Sequence, residues 1–285
     1  RQAGLSTAEV IFFRTGPGLL WLWFELRVRR QLELRPHRRD LVYLRSLFGV
    51  AAMGTSFYAV QALSLVQHNV LSLLQPVFVA LLAPLVLRER LHALVLVSLV
   101  LAAAGALLVI APGAEFTDVP LVPGLIGVAS GLLSALAHMM IRRTAASEHP
   151  EVVVFHFALH STLFGLLWSL GAGELGRLFA LVSSATLLPL AGVAVLGVLG
   201  QLAMTRAYGH APATLVSIVA YAGIPMSLLA DLLFWDAHAG WAAALGAVLM
   251  IAAGLLLTRK PAAPRTSPPP LVPPLPLPQP QPGQP

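Results

Sequence analysis

Long apolar runs separated by short polar segments occupy almost the whole chain. A helix needs roughly 20 apolar residues to cross the ~30 Å hydrocarbon core of a bilayer. The pattern therefore predicts an all-α, polytopic membrane helix bundle with little material left for a water-soluble domain. Nine spans are predicted: Glu9 to Val28, Leu41 to Ser64, Asn69 to Arg88, Leu91 to Ala111, Pro123 to Arg142, Val152 to Gly171, Ser184 to Arg206, Ala213 to Trp235 and Gly240 to Thr258.

The third predicted span begins with a polar face that recurs later in the chain. Asn69, Ser72 and Gln75 lie on one side of this helix, ahead of a continuous apolar stretch. A shift of 145 positions places Asn69 on Thr214 and Ser72 on Ser217, at the start of the eighth span. A duplicated helix with a duplicated polar face indicates a transport site between two related halves.

Further matches extend this repeat over most of the chain. The stretch EVIFFR that begins at Glu9 resembles EVVVFH from Glu151, which pairs the first span with the sixth, and Gly105 corresponds to Gly254 in the fourth and ninth spans. Only the fifth span has no counterpart. We therefore predict an inverted repeat of five helices per half, in which nine helices are present and the first of ten is missing. The first repeat would cover residues 1–113 and the second residues 121–260.

Composition supports a membrane location, and the distribution of charge predicts an orientation. Hydrophobic residues make up 57% of the chain and charged residues 11%, which is too little polar surface for a soluble domain of this size. The net charge of +6 does not indicate nucleic-acid binding, because the arginines crowd the loop from Arg27 to Asp40 and the ends of alternate spans. Such clusters mark cytoplasmic loops. This assignment places Arg88, Arg142, Arg206 and the C-terminus on the cytoplasmic side.

Residues 261–285 are rich in proline, with no apolar run long enough to form a core. This composition predicts a disordered cytoplasmic tail with extended polyproline character. Recruitment of a proline-binding partner is the alternative function for this segment.

The first span contains an arginine within its apolar run and a proline soon after it. The segment Arg14-Thr-Gly-Pro-Gly18 predicts a kink, since proline removes a backbone hydrogen bond. Arg14 either extends to the outer headgroups or faces a central cavity, where it would bind an anionic group such as a carboxylate.

Three other ionisable residues within the spans are candidates for function. His156 occupies the position equivalent to Arg14, and His160 follows one turn later. This pair has three interpretations: a metal site that lacks an identifiable third ligand, titrating groups in a polar cavity, or structural hydrogen bonding. Asp231 is either hydrated near the outer end of its helix or exchanges protons. His160 and Asp231 are therefore the proton-coupling candidates.

Uncharged polar residues inside the spans are expected to face the interior, because an unpaired amide in lipid costs several kcal/mol. Together with Arg14 and His156, they form the predicted substrate-binding set. The members of this uncharged group are Tyr58, Gln61, Gln75, Gln201 and Tyr221.

No motif of a soluble enzyme occurs, and neither a cofactor nor a metal is predicted. The chain contains no cysteine, so no disulfide framework is predicted. Two alternatives to transport stay open. One is an intramembrane enzyme that uses His156 and His160, and the other is a non-transporting scaffold or receptor that recruits partners through its tail.

Two segments resemble a known family. The string ALSLVQHNVLSLLQPVFVALLAPLVLRERL, together with LAMTRAYGHAPATLVSIVAYAGIPMSLLADLLFWD and GAVLMIAAGLLL in the second half, is similar to the duplicated domain of the EamA-type transporters in the drug/metabolite transporter superfamily. The similarity covers about residues 9–258. One departure is the sequence Phe234-Trp235-Asp236, where the family usually has Phe-Gly-Glu.

This resemblance implies ten helices with both termini in the cytoplasm, and export or exchange of small metabolites across the bacterial inner membrane. Combined with the repeat, it predicts a secondary transporter of small organic solutes such as amino acids that works by alternating access. The expected partners are a small-molecule substrate and membrane lipid, with homodimer formation left open and no nucleic acid.

Overall fold

A computed structural model describes residues 6–29, 33–63, 65–110, 120–176, 184–234 and 240–258. The predicted disordered tail and the side chain of Asp231 lie outside what it describes. The described residues form helices joined by short connections. The helices are α1 (Thr7–Phe24, continued by a π-helical turn at Glu25–Arg29), α2 (Arg39–Ala62), α3 (Leu65–Ser72), α4 (Leu74–Val86), α5 (Ala93–Ile110), α6 (Leu121–Thr144), α7 (Pro150–Gly171), α8 (Ser184–His210), α9 (Ala213–Val219), α10 (Gly223–Phe234) and α11 (Trp241–Thr258).

The outer surface of the bundle is apolar. Leu85, Leu188 and Trp241 are each at least three-quarters exposed, whereas Glu9 and Arg45 are buried. By length and composition, Gln67–Val86, Leu121–Thr144, Pro150–Gly171 and Leu188–His210 qualify as membrane spans, and Ala93–Val109, Ala213–Met226 and Ala244–Leu256 are shorter apolar helices. Apolar residues facing outward and charged residues facing inward are the pattern of a membrane helix bundle, which confirms the predicted fold class.

Helices that the repeat makes equivalent pack against each other in antiparallel orientation. In the α1–α7 pair, the backbone of Ala8 and Phe12 lies against Gly165, while Thr15 further along α1 hydrogen-bonds Thr162 at 2.9 Å. In the α5–α11 pair, a Cβ added at Gly246 would lie 2.4 Å from the carbonyl oxygen of Gly105. This arrangement is the one expected of two inverted copies of one unit. The proposed boundaries of the two units stay a prediction.

Helix α1 continues through Pro17, and the kink predicted there stays a prediction. The adjacent glycine serves packing between helices, since a Cβ at Gly18 would lie only 1.9 Å from the side chain of Val198 on α8. The small residues of this segment therefore allow α1 and α8 to approach closely.

The third and eighth predicted spans each contain an irregular turn, at Leu73 between α3 and α4 and at Ala220–Ala222 between α9 and α10. The backbone stays helical through both turns, and Gln67–Val86 and Ala213–Met226 each form one apolar helix. The hydroxyl of Tyr221 donates a 2.6 Å hydrogen bond to the carbonyl oxygen of Leu73, so the two turns are bonded to each other.

Candidate functional site

A cavity of about 520 Å³ lies inside the bundle, beside the turns at Leu73 and at Ala220–Ala222. This volume is within the range of sites that hold small organic ligands. Its wall combines apolar side chains with polar ones from both halves. The polar and charged lining residues are Arg14, Arg45, Ser56, His68, Ser72, Gln75, Ser130, Ser134, His138, Gln201 and Tyr221.

Arg45 is the most deeply buried charge in the wall of this cavity, with 2% of its surface exposed. Its Nη2 donates a 2.8 Å hydrogen bond to Oε1 of Gln201, and its guanidinium carbon lies 3.7 Å from the centre of the Phe157 ring. Nε and Nη1 are buried without a hydrogen-bond partner. The residue is held from two sides, yet it keeps donors that no described protein group uses.

Arg14 reaches the same cavity from α1. A Cβ built at Gly197 of α8 would lie 3.2 Å from Cγ of Arg14 and 3.6 Å from its Nε, so the arginine lies across this glycine. Gly197 is one helical turn from Gln201, the partner of Arg45. Both arginines are therefore positioned by the same region of α8.

A hydrogen-bonded pair occupies the middle of the wall. Nε2 of Gln75 and Nδ1 of His138 are 2.9 Å apart, and the His138 ring stacks on Tyr208 with centroids 4.9 Å apart. Gln75 belongs to the first half and His138 to the second. The pair therefore joins the halves and fixes the orientation of both side chains.

One end of the cavity is sealed. Leu41, Val79, Met139 and Tyr208 belong to a buried apolar cluster, which we call the sealing cluster. Arg45 follows Leu41 by one turn of α2, so the cavity begins directly above the cluster. From there the lining residues of α2 continue to Val60, near the other end of the helix.

A polar network reinforces the sealed end. Glu89 accepts hydrogen bonds of 3.1 and 3.0 Å from the backbone N–H of Ala213, and its carboxylate lies 3.4 Å from Nε of Arg142. Arg142 also donates to the carbonyl oxygens of Tyr208 and Gly209. This network connects the end of α4 to α6 and to the α8–α9 junction.

Further ion pairs lie at the ends of the helices that carry the predicted cytoplasmic arginines. Arg206 bonds Glu151 at 2.6 Å, and the backbone N–H of Arg38 bonds Glu148 at 2.5 Å. The loop predicted to be cytoplasmic thus meets the end of α6 at one end of the bundle. This grouping matches the sides assigned from charge.

The structure separates the predicted substrate-binding residues into two groups. Arg14, Gln75, Gln201 and Tyr221 line the cavity. The expectation that Tyr58 faces the interior is wrong, since this side chain is 44% exposed. Gln61 hydrogen-bonds Thr7 on α1 and does not line the cavity either.

His156 and His160 lie on α7 outside the cavity wall. Nδ1 of His156 donates to the carbonyl oxygen of Val152 at 2.9 Å, and Nδ1 of His160 donates to that of His156 at 2.5 Å. Bonds to the backbone of their own helix favour a structural role. Among the described residues, no group of three histidine or acidic side chains is placed to hold a metal ion.

Sequence reasoning missed Arg45, His138 and His68, all of which line the cavity. Arg45 lies inside the second predicted span and His138 inside the fifth. The rule that singled out Arg14, that an ionisable side chain within an apolar run is a candidate for function, applies equally to Arg45 and His138 and would have found them. His68 precedes the third predicted span, so this rule would not have found it.

Comparisons with known proteins agree with this architecture. Residues 2–111 match the model of the EamA-like transporter family. A pseudopaline exporter, CntI, of Pseudomonas aeruginosa is 29% identical over 263 residues, which cover 90% of this chain and 88% of the relative. Solute carrier family 35 member G1 of Mus musculus is 24% identical over 272 residues, covering 87% and 70% of the two chains. The resemblance to EamA-type transporters is confirmed.

Two further comparisons extend this result. An uncharacterized transporter of Helicobacter pylori is 28% identical over 255 residues, covering 88% of this chain and 85% of the relative. A crystal structure with 18% sequence identity has the same fold, with a TM-score of 0.72 and coverage of 90% of both chains. The chain is therefore an integral membrane protein with the fold and the relatives of a small-molecule transporter.

Proposed function

We propose that this EamA-type transporter of the drug/metabolite transporter superfamily binds a small organic acid in its central cavity and exports or exchanges it by alternating access. The observation that carries the proposal is the burial of Arg45 without a counter-ion among the described residues. Its guanidinium is buried, and two of its nitrogen atoms lack hydrogen-bond partners. No aspartate or glutamate occurs among the described residues that line the cavity.

A buried cation without a counter-ion costs several kcal/mol, which makes it a poor choice for stability alone. Both nitrogen atoms are closed to water in this structure, so a solute carboxylate would supply the missing acceptors once the neighbouring side chains move to admit it. Guanidinium–carboxylate pairs are among the strongest hydrogen-bonded contacts in proteins. Gln201 and the face of Phe157 hold the guanidinium in place before the solute arrives. This fixed position reduces the ordering cost of binding.

The sealed end supports alternating access. The sealing cluster and the Glu89 network close the end that is predicted to be cytoplasmic, whereas the lining residues of α2 extend towards the predicted outer end. This distribution favours an outward-facing state. The opposite state requires the contacts between the halves at Glu89 to separate. The relative named as an exporter supports export as the direction of net movement.

The proposal is tested with the full chain reconstituted into liposomes that are loaded with amino acids and other organic acids. Arg45→Gln removes the charge, Arg45→Lys keeps the charge but not the planar fork, and Arg143→Gln removes an exposed arginine at the end of α6 as a matched control. We expect Arg45→Gln to reduce counterflow of acids at least tenfold, because a hydrogen bond to a charged group contributes about 1.5–3 kcal/mol. Arg45→Lys should retain part of the activity, and Arg143→Gln should transport like the wild type.

A stability measurement separates loss of binding from loss of folding. Because Arg45 is an uncompensated buried charge in the empty cavity, Arg45→Gln is expected to keep or raise the melting temperature of the detergent-solubilised protein. It should at the same time abolish the stabilisation that acids give to the wild type. Wild-type rates of acid transport in Arg45→Gln would overturn the proposal.

A further inference from the structure

Two arginines, not one, line the cavity, and α8 contacts both of them. Arg14 lies across Gly197, and Arg45 is bonded to Gln201. Positions 197 and 201 are four residues apart on one helix, so they share a face and differ in height by about 6 Å. The two arginines therefore contact α8 at points about one helical turn apart.

No described protein group balances either charge. Among the described residues, no carboxylate forms an ion pair with Arg14 or Arg45, and none lines the cavity. Other arginines of the bundle differ in this respect, since Arg142 and Arg206 pair with Glu89 and Glu151 at the sealed end. Among the described residues, carboxylates therefore pair with the arginines that join helices at the sealed end. None of them pairs with the two arginines that line the cavity.

The contacts of Arg14 argue against a side chain that only extends to the lipid headgroups. Its stem packs on Gly197, where a Cβ would require a neighbouring group to shift, and the residue is part of the cavity wall. A side chain that extends to the headgroups along the outside of α1 would not lie against α8. The guanidinium is therefore available to a solute inside the bundle.

We infer that the transported substrate carries two anionic groups, one held by Arg45 beside Gln201 and the other by Arg14 above Gly197. The inference rests on the proposed function and specifies its substrate class as dicarboxylates or comparable dianions. The anionic groups are separated by a short aliphatic or polar chain, since the two anchoring positions differ in height by about one helical turn. The Gln75–His138 pair faces the cavity and provides a polar surface for the linking chain.

Matched solutes that differ by one charge test the inference directly. Adipate and glutarate are compared with their monoamides, adipamate and glutaramate, as inhibitors of counterflow by the full chain in liposomes. We expect the wild type to prefer each diacid over its monoamide by about tenfold or more, the value of one additional charge-assisted hydrogen bond. In Arg14→Gln the preference for the diacid should fall to about one, because the diacid loses an ion pair where the monoamide loses at most a neutral hydrogen bond. Arg14→Lys should keep part of the preference.

The two arginines give distinguishable outcomes. Arg45→Gln is expected to weaken diacid and monoamide alike, whereas Arg143→Gln should alter neither. Equal binding of diacid and monoamide by the wild type would overturn the dianion inference and leave the proposed function standing. An equal loss for both solutes in Arg14→Gln would also overturn it. If no acid of either class binds to the wild type, the proposed function fails as well.

Discussion

Gly49 offers a way to move the Arg45 guanidinium without changing any charge. It lies one turn after Arg45 on α2 and lines the cavity. A Cβ at this position would lie 2.7 Å from Nη1 of Arg45 and 2.9 Å from Cε2 of Phe157. Both distances are shorter than real Cβ contacts, so Gly49→Ala must displace the guanidinium, the ring, or both.

The displacement weakens the two contacts that hold the guanidinium. A desolvated cation–π contact such as the one 3.7 Å above Phe157 contributes about 2 kcal/mol. The 2.8 Å bond to Gln201 contributes about 1.5–3 kcal/mol as a hydrogen bond to a charged group. Because both contacts are already made in the empty protein, their loss weakens acid binding only by the cost of ordering the freed side chain, about 0.5–1.5 kcal/mol, which corresponds to roughly two- to tenfold weaker binding.

The substitution separates binding from folding, because alanine favours a helix over glycine by about 1 kcal/mol. Binding is measured as the concentration of acid that half-saturates counterflow, and stability as the melting temperature in detergent. Gly200→Ala is the matched control, since Gly200 precedes Gln201 on α8 and a Cβ there would meet no atom within 4 Å. If Gly49→Ala and Gly200→Ala bind acids equally well, the guanidinium is not held at its position by these contacts, and the reasoning from Arg45 fails.

Two further predictions concern the contacts between the halves. Glu89→Ala removes the acceptor of the Ala213 N–H and should favour the inward-facing state. In a chain without native cysteine, labelling of Met204→Cys from the cytoplasmic side should then become several times faster, and an unchanged rate would contradict the role of the network. Gly105→Ala places a Cβ 2.6 Å from a carbonyl oxygen of α11 and should lower the melting temperature by several degrees, whereas Gly254→Ala, with open space around it, should not.

The sequence was sufficient to predict the helices. Apolar length identified the spans, and the match between residues 9–14 and 151–156 paired α1 with α7, which the structure places side by side in antiparallel orientation. The irregular turn at Leu73 was not predicted, although Pro76 cannot form the helical hydrogen bond to the carbonyl oxygen of Ser72 and so favours such a turn. The bond from Tyr221 to the carbonyl oxygen of Leu73 comes from 148 residues away, and such long-range contacts leave no local pattern.

The errors in the predicted site follow from helical geometry. On α2 the lining residues Arg45, Gly49, Ser56 and Val60 belong to one stripe that repeats with the period of the helix. At about 100° per residue, Tyr58 lies roughly opposite this stripe and therefore faces outward. The expectation that a polar residue in a span faces inward did not take account of the angular position of the residue around its helix. Comparing the angular position of Tyr58 with that of Arg45 would have separated Tyr58 from the cavity-lining residues.

The unpaired charges also connect the choice of substrate with the change between the outward-facing and inward-facing states. Arg45 is already shielded from water in the open cavity, and closing an empty cavity would also dehydrate Arg14, at a cost of several kcal/mol. On the proposed function, a bound dianion offsets this cost by pairing with both guanidiniums before the cavity closes. The empty protein then passes between its two states less readily than the loaded one, which is the energetic requirement for exchange. The absence of carboxylates from the described wall therefore serves two purposes, because it selects an anionic solute and makes movement between the states depend on that solute.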